Sequence, residues 1–323
     1  MKGRMYIDGA DAWEGYGVFV GEGGYAGPLT WPPLKKVKVN DWPEEEGTEP
    51  DLSAPALASA EFSLPLCGVN ERGMEALFRD LTREAYHTFE FREIGWVRRA
   101  RLVSKSAVKF ADGREQCTLK LADDDTPLKG YSYEAPRMWD GVPVQGYELD
   151  GVDLSHYGVR LLQGTEESVR ALPAAKKSLS VDLAGRDGLI CDGETVRFQS
   201  GEVTLGCYMK APDAASFRRN YLALLHDLVR PRAGGGARPE RGGKLLYVPC
   251  LGRSLVCYYK NGQVQQAKTA GGGVNCHFTV TMVCASWPEE LREWMLAAEE
   301  GTPLVTEEGK GIRLLIRKGR WEW

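Results

Sequence analysis

Apolar and polar residues alternate with a period of two along several stretches of this chain. In the clearest stretch, Cys276, Phe278, Val280 and Met282 alternate with residues that are mostly polar. Such alternation is typical of a strand that buries one face. Shorter strand-like runs cover residues 61–64, 89–91, 100–104, 117–121, 202–205, 245–248 and 254–259. The pattern predicts a mainly β protein.

Two stretches instead follow the 3.6-residue period of an amphipathic helix. In the first, apolar residues between Met74 and Leu81 follow Asn70, which is a candidate N-cap. In the second, an apolar stripe from Phe217 to Leu228 follows Asp213, and a proline and a glycine-rich loop end it. Each helix stands between two groups of predicted strands.

A third helix is predicted near the C-terminus. Residues 286–289 match a capping box, and apolar residues at 291, 294, 295 and 298 follow with helical spacing. After this helix, residues 303–306 and 312–317 predict the two strands of a β-hairpin, with a turn at 308–311.

The order of elements is repeated within the chain. Asp8 and Gly9 recur as Asp150 and Gly151, and the Tyr-Gly-Val of residues 16–18 recurs at 157–159. The run 61–64 has its counterpart at 202–205, with the same offset as the Tyr-Gly-Val pair. A fixed offset of this kind indicates an internal duplication. We therefore expect a first domain over 1–145, a second over 146–285, and a C-terminal helix and hairpin over 286–323.

Composition narrows the range of functions. The 323 residues carry a net charge of −4, which offers no general attraction to nucleic acid or to an anionic membrane. Residues 1–20 lack the basic and apolar regions of a secretory leader, and no apolar stretch is long enough to span a bilayer. Eight cysteines are too few for a disulfide scaffold, so we expect thiols in a protein folded in a cytosol.

No motif predicts an enzyme, a cofactor or a metal. Residues 21–26 match a dinucleotide fingerprint, but the proline-rich residues 27–33 cannot continue it as a helix, so a hairpin loop is expected. The cysteines never form a C-x-x-C pair, and Cys276 and Cys284 are expected to be core residues. His156, His226 and His277 are expected to be exposed or at an edge.

Several turn and strand signatures resemble the start of the distal tail proteins of long-tailed phages and prophages, above all the versions of Bacteroides-type prophages. They are residues 5–11, 16–18, 40–43 and 61–66. The resemblance implies a split β-barrel with one helix, assembled as a hexameric ring at the end of the tail tube and joined to the tail tip or baseplate. Two tandem split barrels in one chain depart from the family, so the ring is either a hexamer or a pseudo-hexamer of fewer chains.

This resemblance predicts a structural, non-enzymatic virion component whose partners are further copies of the chain and other tail or baseplate proteins. Unpaired strand edges and long loops are the expected contact regions. The loops are residues 21–33, 41–50 and 232–243, and the candidate subunit-contact residues within them are Trp31, Asp41, Trp42, Arg238 and Arg241.

Two other functions remain open at this point. Nine Trp and thirteen Tyr are enough for a carbohydrate-binding tail module that stacks sugars from the host surface. Split barrels also bind FMN, so a flavin enzyme is the second alternative.

Overall fold

The structure is a computed structural model. It describes residues 1–69, 73–111, 113–171, 173–177, 180–191, 196–230 and 243–286, together with the backbone of 292–295, 313–317 and 320–321. Two large antiparallel sheets dominate it, one in each half of the described chain. The expectation of a mainly β protein is confirmed.

The described part of the first half contains ten strands. They are β1 (Met5–Ile7), β2 (Ala10–Asp11), β3 (Val18–Val20), β4 (Val39–Asn40), β5 (Glu49–Pro50), β6 (Ala60–Gly68), β7 (His87–Phe91), β8 (Trp96–Lys105), β9 (Lys109–Ala111) and β10 (Arg114–Asp123). The main sheet has the order β2-β1-β7-β8-β10-β6-β3, with β9 paired to β10. Strands β4 and β5 form a separate two-stranded ribbon.

The second half, as far as it is described, has nine strands before its C-terminal extension. They are β11 (Glu148–Leu149), β12 (Val152–Asp153), β13 (Val159–Leu161), β14 (Ser180–Val181), β15 (Ile190–Cys191), β16 (Gly201–Ala211), β17 (Lys244–Val248), β18 (Arg253–Ala270) and β19 (Gly273–Ser286). The main sheet has the order β12-β11-β17-β18-β19-β16-β13, and β14 pairs with β15 in a ribbon of its own.

The two main sheets have the same strand order, except that β9 of the first sheet has no counterpart among the described strands of the second. The registers agree as well. Val18 lies opposite Gly68 in the first sheet, and Val159 lies opposite Met209 in the second. Val159 and Met209 follow Val18 and Gly68 in the sequence by the same number of residues. An independent origin of the same strand order and the same register would require many coincidences. The structure thus supports the internal duplication that the sequence indicates.

The repeated Asp-Gly pair forms the same turn in both halves. Asp8 and Asp150 both adopt a left-handed backbone, with φ of 50° and 49°, which Asp tolerates better than most residues. Asp8 accepts a hydrogen bond from the backbone N–H of Thr88 at 2.8 Å, and Asp150 accepts one from Leu245 at 2.8 Å. Each turn therefore fixes the start of its sheet to the strand that follows the helix.

Five α-helices lie between these strands in the described ranges. They are α1 (Ala12–Tyr16), α2 (Ala26–Leu29), α3 (Gly73–Leu81), α4 (Thr165–Arg170) and α5 (Ala214–Val229). The two predicted amphipathic helices correspond to α3 and α5, and Asp213 caps α5 by accepting from the backbone N–H of Ser216 at 2.7 Å. Asn70, the cap expected for α3, lies outside the described residues.

Buried side chains of both halves form one continuous core. This core contains the apolar faces of both helices and the inward residues of both sheets. Helix α5 contributes ten buried residues and also contacts the first half, where Ala214 packs against Gly95. The halves are therefore packed against each other.

The predicted C-terminal helix is not present where the structure describes this region. Ser286 ends strand β19, and Arg292–Met295 forms strand β20, which pairs with β21 (Arg313–Arg317). Strand β21 pairs in turn with β22 (Arg320–Trp321). A Leu-Leu-Ile partner strand provides interstrand hydrogen bonds, and these override a helical spacing defined by only a few apolar positions. Strand β21 agrees with the predicted strand at 312–317, whereas 303–306 lies outside the described residues.

Candidate functional site

In each half, a two-stranded hairpin extends from the main sheet, and it connects strands of that sheet that correspond between the halves. We call residues 34–57 arm 1, which carries β4 and β5, and residues 175–198 arm 2, which carries β14 and β15. An isolated bridge closes each base, Leu34 with Leu57 and Ala175 with Phe198. The paired residues of the two arms keep the offset of the duplication, as Val39–Pro50 and Ser180–Cys191 show.

Backbone hydrogen bonds at the two bases also correspond. Lys35 N–H donates to Ala56 at 2.8 Å, and Lys176 N–H donates to Arg197 at 2.7 Å. Just outside these pairs, Ala58 N–H donates to Pro33 and Gln199 N–H donates to Ala174, both at 2.8 Å. The arms are thus equivalent parts of the duplicated unit.

Arm 1 leaves its own half and docks on strand β18 of the second half. The backbone N–H of Leu34 donates to Lys260 at 2.8 Å, and Trp31, just before the arm, forms an isolated bridge with Gly262. Gly262 is needed at this point, because a Cβ atom there would lie 2.5 Å from the Trp31 ring. Arm 1 therefore adds to the free edge of β18 by strand-type contacts.

Trp31 lies in an aromatic pocket of the second half. Its ring centroid is 4.6 Å from that of Tyr221, 5.4 Å from that of Phe278 and 6.4 Å from that of Tyr259. The side chain is 1% exposed. The hydroxyls of Tyr221 and Tyr259 donate to the carbonyls of Leu29 and Pro32, at 3.0 and 2.8 Å. Burial raises the pKa of Tyr221 well above its ordinary value, so this donor stays protonated.

A buried arginine fixes the segment that precedes Trp31. Arg98 of β8 donates to the carbonyls of Pro28 and Thr30, both at 2.7 Å, and to the carboxylate of Asp123 at 2.8 Å. Arg98 and Asp123 are 2% and 4% exposed. Burial lowers the pKa of Arg98 and raises that of Asp123, while their mutual attraction opposes both shifts. Two hydrogen bonds from one side chain thus hold the chain where it enters the second half, and the third fixes the guanidinium to β10.

The tip of arm 1 rests on the base of arm 2. Lys176 Nζ lies 2.6 Å from the carboxylate of Asp41 and also donates to the carbonyl of Trp42 at 2.7 Å. The Glu46 carboxylate accepts from the backbone N–H of Phe198 at 2.8 Å, and Gly47 N–H donates to the Phe198 carbonyl at 2.8 Å. These contacts leave the Lys176 side chain only 6% exposed.

The five sequence-predicted contact residues have different positions in the structure. Trp31 is buried within the chain, where it joins the two halves and has no surface to offer another subunit. Asp41 contacts Lys176 in the same chain, and Trp42 beside it is 53% exposed. Arg238 and Arg241 lie outside the described residues.

Sequence reasoning missed the contacts of the residues that surround Trp31 and Asp41. Lys176 is one of two adjacent lysines in a stretch without a motif. Glu46 and Arg98 belong to charged runs, which are typical of exposed loops and strand faces. The sequence nonetheless contains a signal that the two arms are equivalent. The constant offset between the copies continues through both arms, and it pairs Lys35 with Lys176 and Asp41 with Asp182.

Groups able to do chemistry are dispersed over the described residues. Those residues contain no cluster of three or more His, Cys, Asp or Glu side chains able to hold a metal. His226, for which an exposed or edge position was expected, is half-buried beside Asp227 and the Tyr133 ring. The expectation of core positions for Cys276 and Cys284 is confirmed, since both are fully buried. Cys284 Sγ lies 3.0 Å from Cys257 Sγ, and both are free thiols.

Residues 21–25 of the glycine-rich segment line an open cleft of about 280 Å³ near the N-terminus. Helix α2 does begin at Ala26, contrary to expectation, because proline is tolerated in the first turn of a helix. This helix has only four residues, however, and a Ser63 carbonyl lies where a Cβ atom of Gly27 would be. The segment packs against β6 instead of opening a long helix toward a phosphate.

Among the helices of the described ranges, none combines the length and the apolar character needed to cross a membrane.

No protein-family model and no curated protein matches the chain. Among solved structures, the chain is similar to the protein described as "Crystal Structure of SPP1 Dit (gp 19.1) Protein, a Paradigm of Hub Adsorption Apparatus in Gram-positive Infecting Phages". The match covers 87% of this chain and 97% of that chain, at 12% sequence identity and a TM-score of 0.30.

Proposed function

We propose that this protein is a structural component of a phage or prophage tail, which forms a ring or hub at the distal end of the tail tube. The turn and strand signatures within residues 5–66 support a distal tail protein. The proposal includes two tandem units of the split-barrel type and no catalytic activity. Further copies of the chain and other tail or baseplate proteins are its partners, in the cytoplasm during assembly and then in the virion.

The docking of arm 1 is the observation that carries this proposal. Here a hairpin of one unit lies along the edge of a second unit with the same strand order. Contact between equivalent units through different surfaces is the kind of contact from which rings are built. The fold thus contains, within one chain, a unit-to-unit contact suited to a ring.

Light scattering and negative-stain images of the purified chain test the proposal. We expect closed rings whose mass is a multiple of the 35.7 kDa of one chain, with a fraction that rises with protein concentration. A mass of one chain over the whole concentration range would contradict the ring.

The same sample separates the alternatives. A visible flavin spectrum, or uptake of added FMN, would favour the FMN-binding enzyme. Binding to a glycan array by a chain that stays monomeric would favour the carbohydrate-binding module.

A further inference from the structure

We infer that arm 2 docks on the first half of a second copy of this chain, as arm 1 docks on the second half of its own chain. This inference rests on the proposed ring and names the surfaces that would join its subunits. It starts from the equivalence of the two arms, which have the same base, the same ribbon register and the same offset in sequence.

The first half has a site equivalent to the one that arm 1 occupies on β18. In β18, Lys260 is an extra residue at a bulge between Tyr259 and Asn261. In β8, Val103 is the extra residue at the matching bulge between Leu102 and Ser104. Both bulges are at the same point of the duplicated sheet, so Val103 corresponds to the residue whose carbonyl accepts from Leu34.

The site on β8 is open in the single chain. Strand β7 pairs with β8 only as far as Ala100. Beyond this point, residues 101–105 have no strand on that side within the described part of the chain, and Val103 is 40% exposed. A free strand edge with an exposed aliphatic side chain is suited to adding another strand.

The charged residues at the tip of one arm and the base of the other also correspond between the two arms. In the chain, Asp41 of the arm 1 tip contacts Lys176 at the arm 2 base. The equivalent pair is Asp182 at the arm 2 tip and Lys35 at the arm 1 base, each related to its counterpart by the same offset. In the described regions, both side chains are exposed and neither has a hydrogen-bond or ion-pair partner. Docking in a second copy would bring this pair together.

The backbone contacts of the tip can be repeated too. Gly47, which donates to Phe198, has φ of 63°, and its counterpart Gly188 has φ of 84°. Glu46, which accepts from Phe198 N–H, corresponds to Asp187. Phe198 itself corresponds to Leu57 at the base of arm 1. Arm 2 thus has a donor and an acceptor in the positions that arm 1 uses.

Arm 2 is also more apolar than a free hairpin should be. Residues 180–190 are exposed throughout. They include four aliphatic side chains that are 41–58% exposed, namely Val181, Leu183, Leu189 and Ile190. Grouped exposed apolar side chains on a hairpin indicate a surface that another protein covers. Three of the four corresponding positions of arm 1 are polar, namely Asn40, Thr48 and Glu49, and the fourth is Trp42.

The occupant must be another copy. Arm 1 already fills the β18 site of the second half, and the exposure of arm 2 shows that it does not occupy the β8 site of its own chain. Arm 1 of the first half docks on the second half of the same chain. If arm 2 of the second half docks in the same way, its partner is the first half of the next chain. The contact is head-to-tail, and such contacts close into rings when the rotation permits.

Cross-linking between two variants, each with one added cysteine, tests this contact. Asp182→Cys and Lys35→Cys chains are mixed in equal amounts and treated with a short bismaleimide, so that a 182–35 link can form only between chains. We expect a covalent dimer in the mixture, with the 182–35 peptide identified by mass spectrometry. Wild type and each variant alone measure the background from the native cysteines. Asp41→Cys with Lys176→Cys in one chain is the positive control, because this pair is already in contact within the chain.

The outcomes distinguish the contact from the ring itself. Rings in light scattering without a 182–35 link above background would overturn the arm 2 contact and leave the proposed ring standing. A monomer at every concentration, also without the link, would overturn both.

A charge-exchange experiment tests the same contact without an added cysteine, which could itself disturb the interface. We expect Asp182→Lys to reduce the oligomer fraction several-fold at a fixed concentration, and Lys35→Asp in the same chain to restore it. Oligomers unaffected by Asp182→Lys, or a double variant as weak as the single one, would contradict the pair.

Discussion

At Trp31, a side chain of the first half completes an aromatic cluster of the second half. We expect Trp31→Ala to lower the free energy of unfolding by about 3–5 kcal/mol, as large-to-small substitutions of buried aromatic residues do. Urea denaturation followed by circular dichroism measures the change. Trp42→Ala is the matched control, because Trp42 is 53% exposed and its removal should cost below about 0.5 kcal/mol. Equal effects of the two substitutions would contradict the packing described for Trp31.

Trp31 and Asp41 also show how much of the contact between the halves the sequence predicts. Trp31 and Asp41 stand out in the sequence because a large aromatic residue and a charge occur in long segments, which predicts contacts between subunits. The structure places both at a contact between the two halves of one chain. Their surroundings depend on distant parts of the chain: the Leu29 carbonyl meets Tyr221, 192 residues further on. A single sequence without a visible motif does not specify such a pairing.

At the scale of elements, the N-cap of α5 gives a pH-dependent prediction. Asp213 accepts from both the backbone N–H and the hydroxyl of Ser216, at 2.7 and 2.8 Å. These hydrogen bonds hold its pKa below the ordinary value. Asp213→Ala should cost about 0.5–2 kcal/mol at neutral pH, as the loss of an N-cap does.

The sign of the pH effect follows from the lowered pKa. The charged cap contributes fully above the unfolded pKa of about 3.9, and its contribution is lost as the pH falls through the lower folded value. The difference between wild type and Asp213→Ala should therefore be smaller at pH 3 than at pH 7 in urea denaturation. Asp140→Ala, which removes an exposed carboxylate, is the control. A difference that grows toward acid would refute the assignment.

Element prediction succeeded where a periodic pattern was long and failed where it was short. The alternation in β19 and the helical stripe of α5 extend over many residues, so each specifies one structure. Strands such as β4 and β14 have two residues each, too few to show any period. Near the C-terminus, the apolar spacing in Arg292–Met295 was compatible with a helix, but pairing with β21 decided the outcome.

At the scale of the whole molecule, the continuous core predicts that the two halves unfold together. Arm 1 and Trp31 connect the halves through buried contacts, so neither half is expected to keep its stability when the other unfolds. Calorimetry should show one transition for the wild type. Trp31→Ala weakens the connection and should broaden or split that transition. Two resolved transitions in the wild type would contradict this coupling.

The duplication was detectable from the sequence because both copies kept a turn that few residues can form, the left-handed Asp followed by Gly. The arrangement of the two halves was not detectable. It depends on the contact between arm 1 and β18, in which backbone groups carry much of the recognition and leave no residue pattern.

Arm 1 joins two equivalent units that are also linked covalently. Its partner is therefore present at the high effective concentration of a tethered ligand, and dilution cannot separate the two. In a ring of such chains, every second joint would be permanent, and only the joints made by arm 2 would respond to protein concentration. Fusion of the two units would halve the number of encounters needed to close the ring.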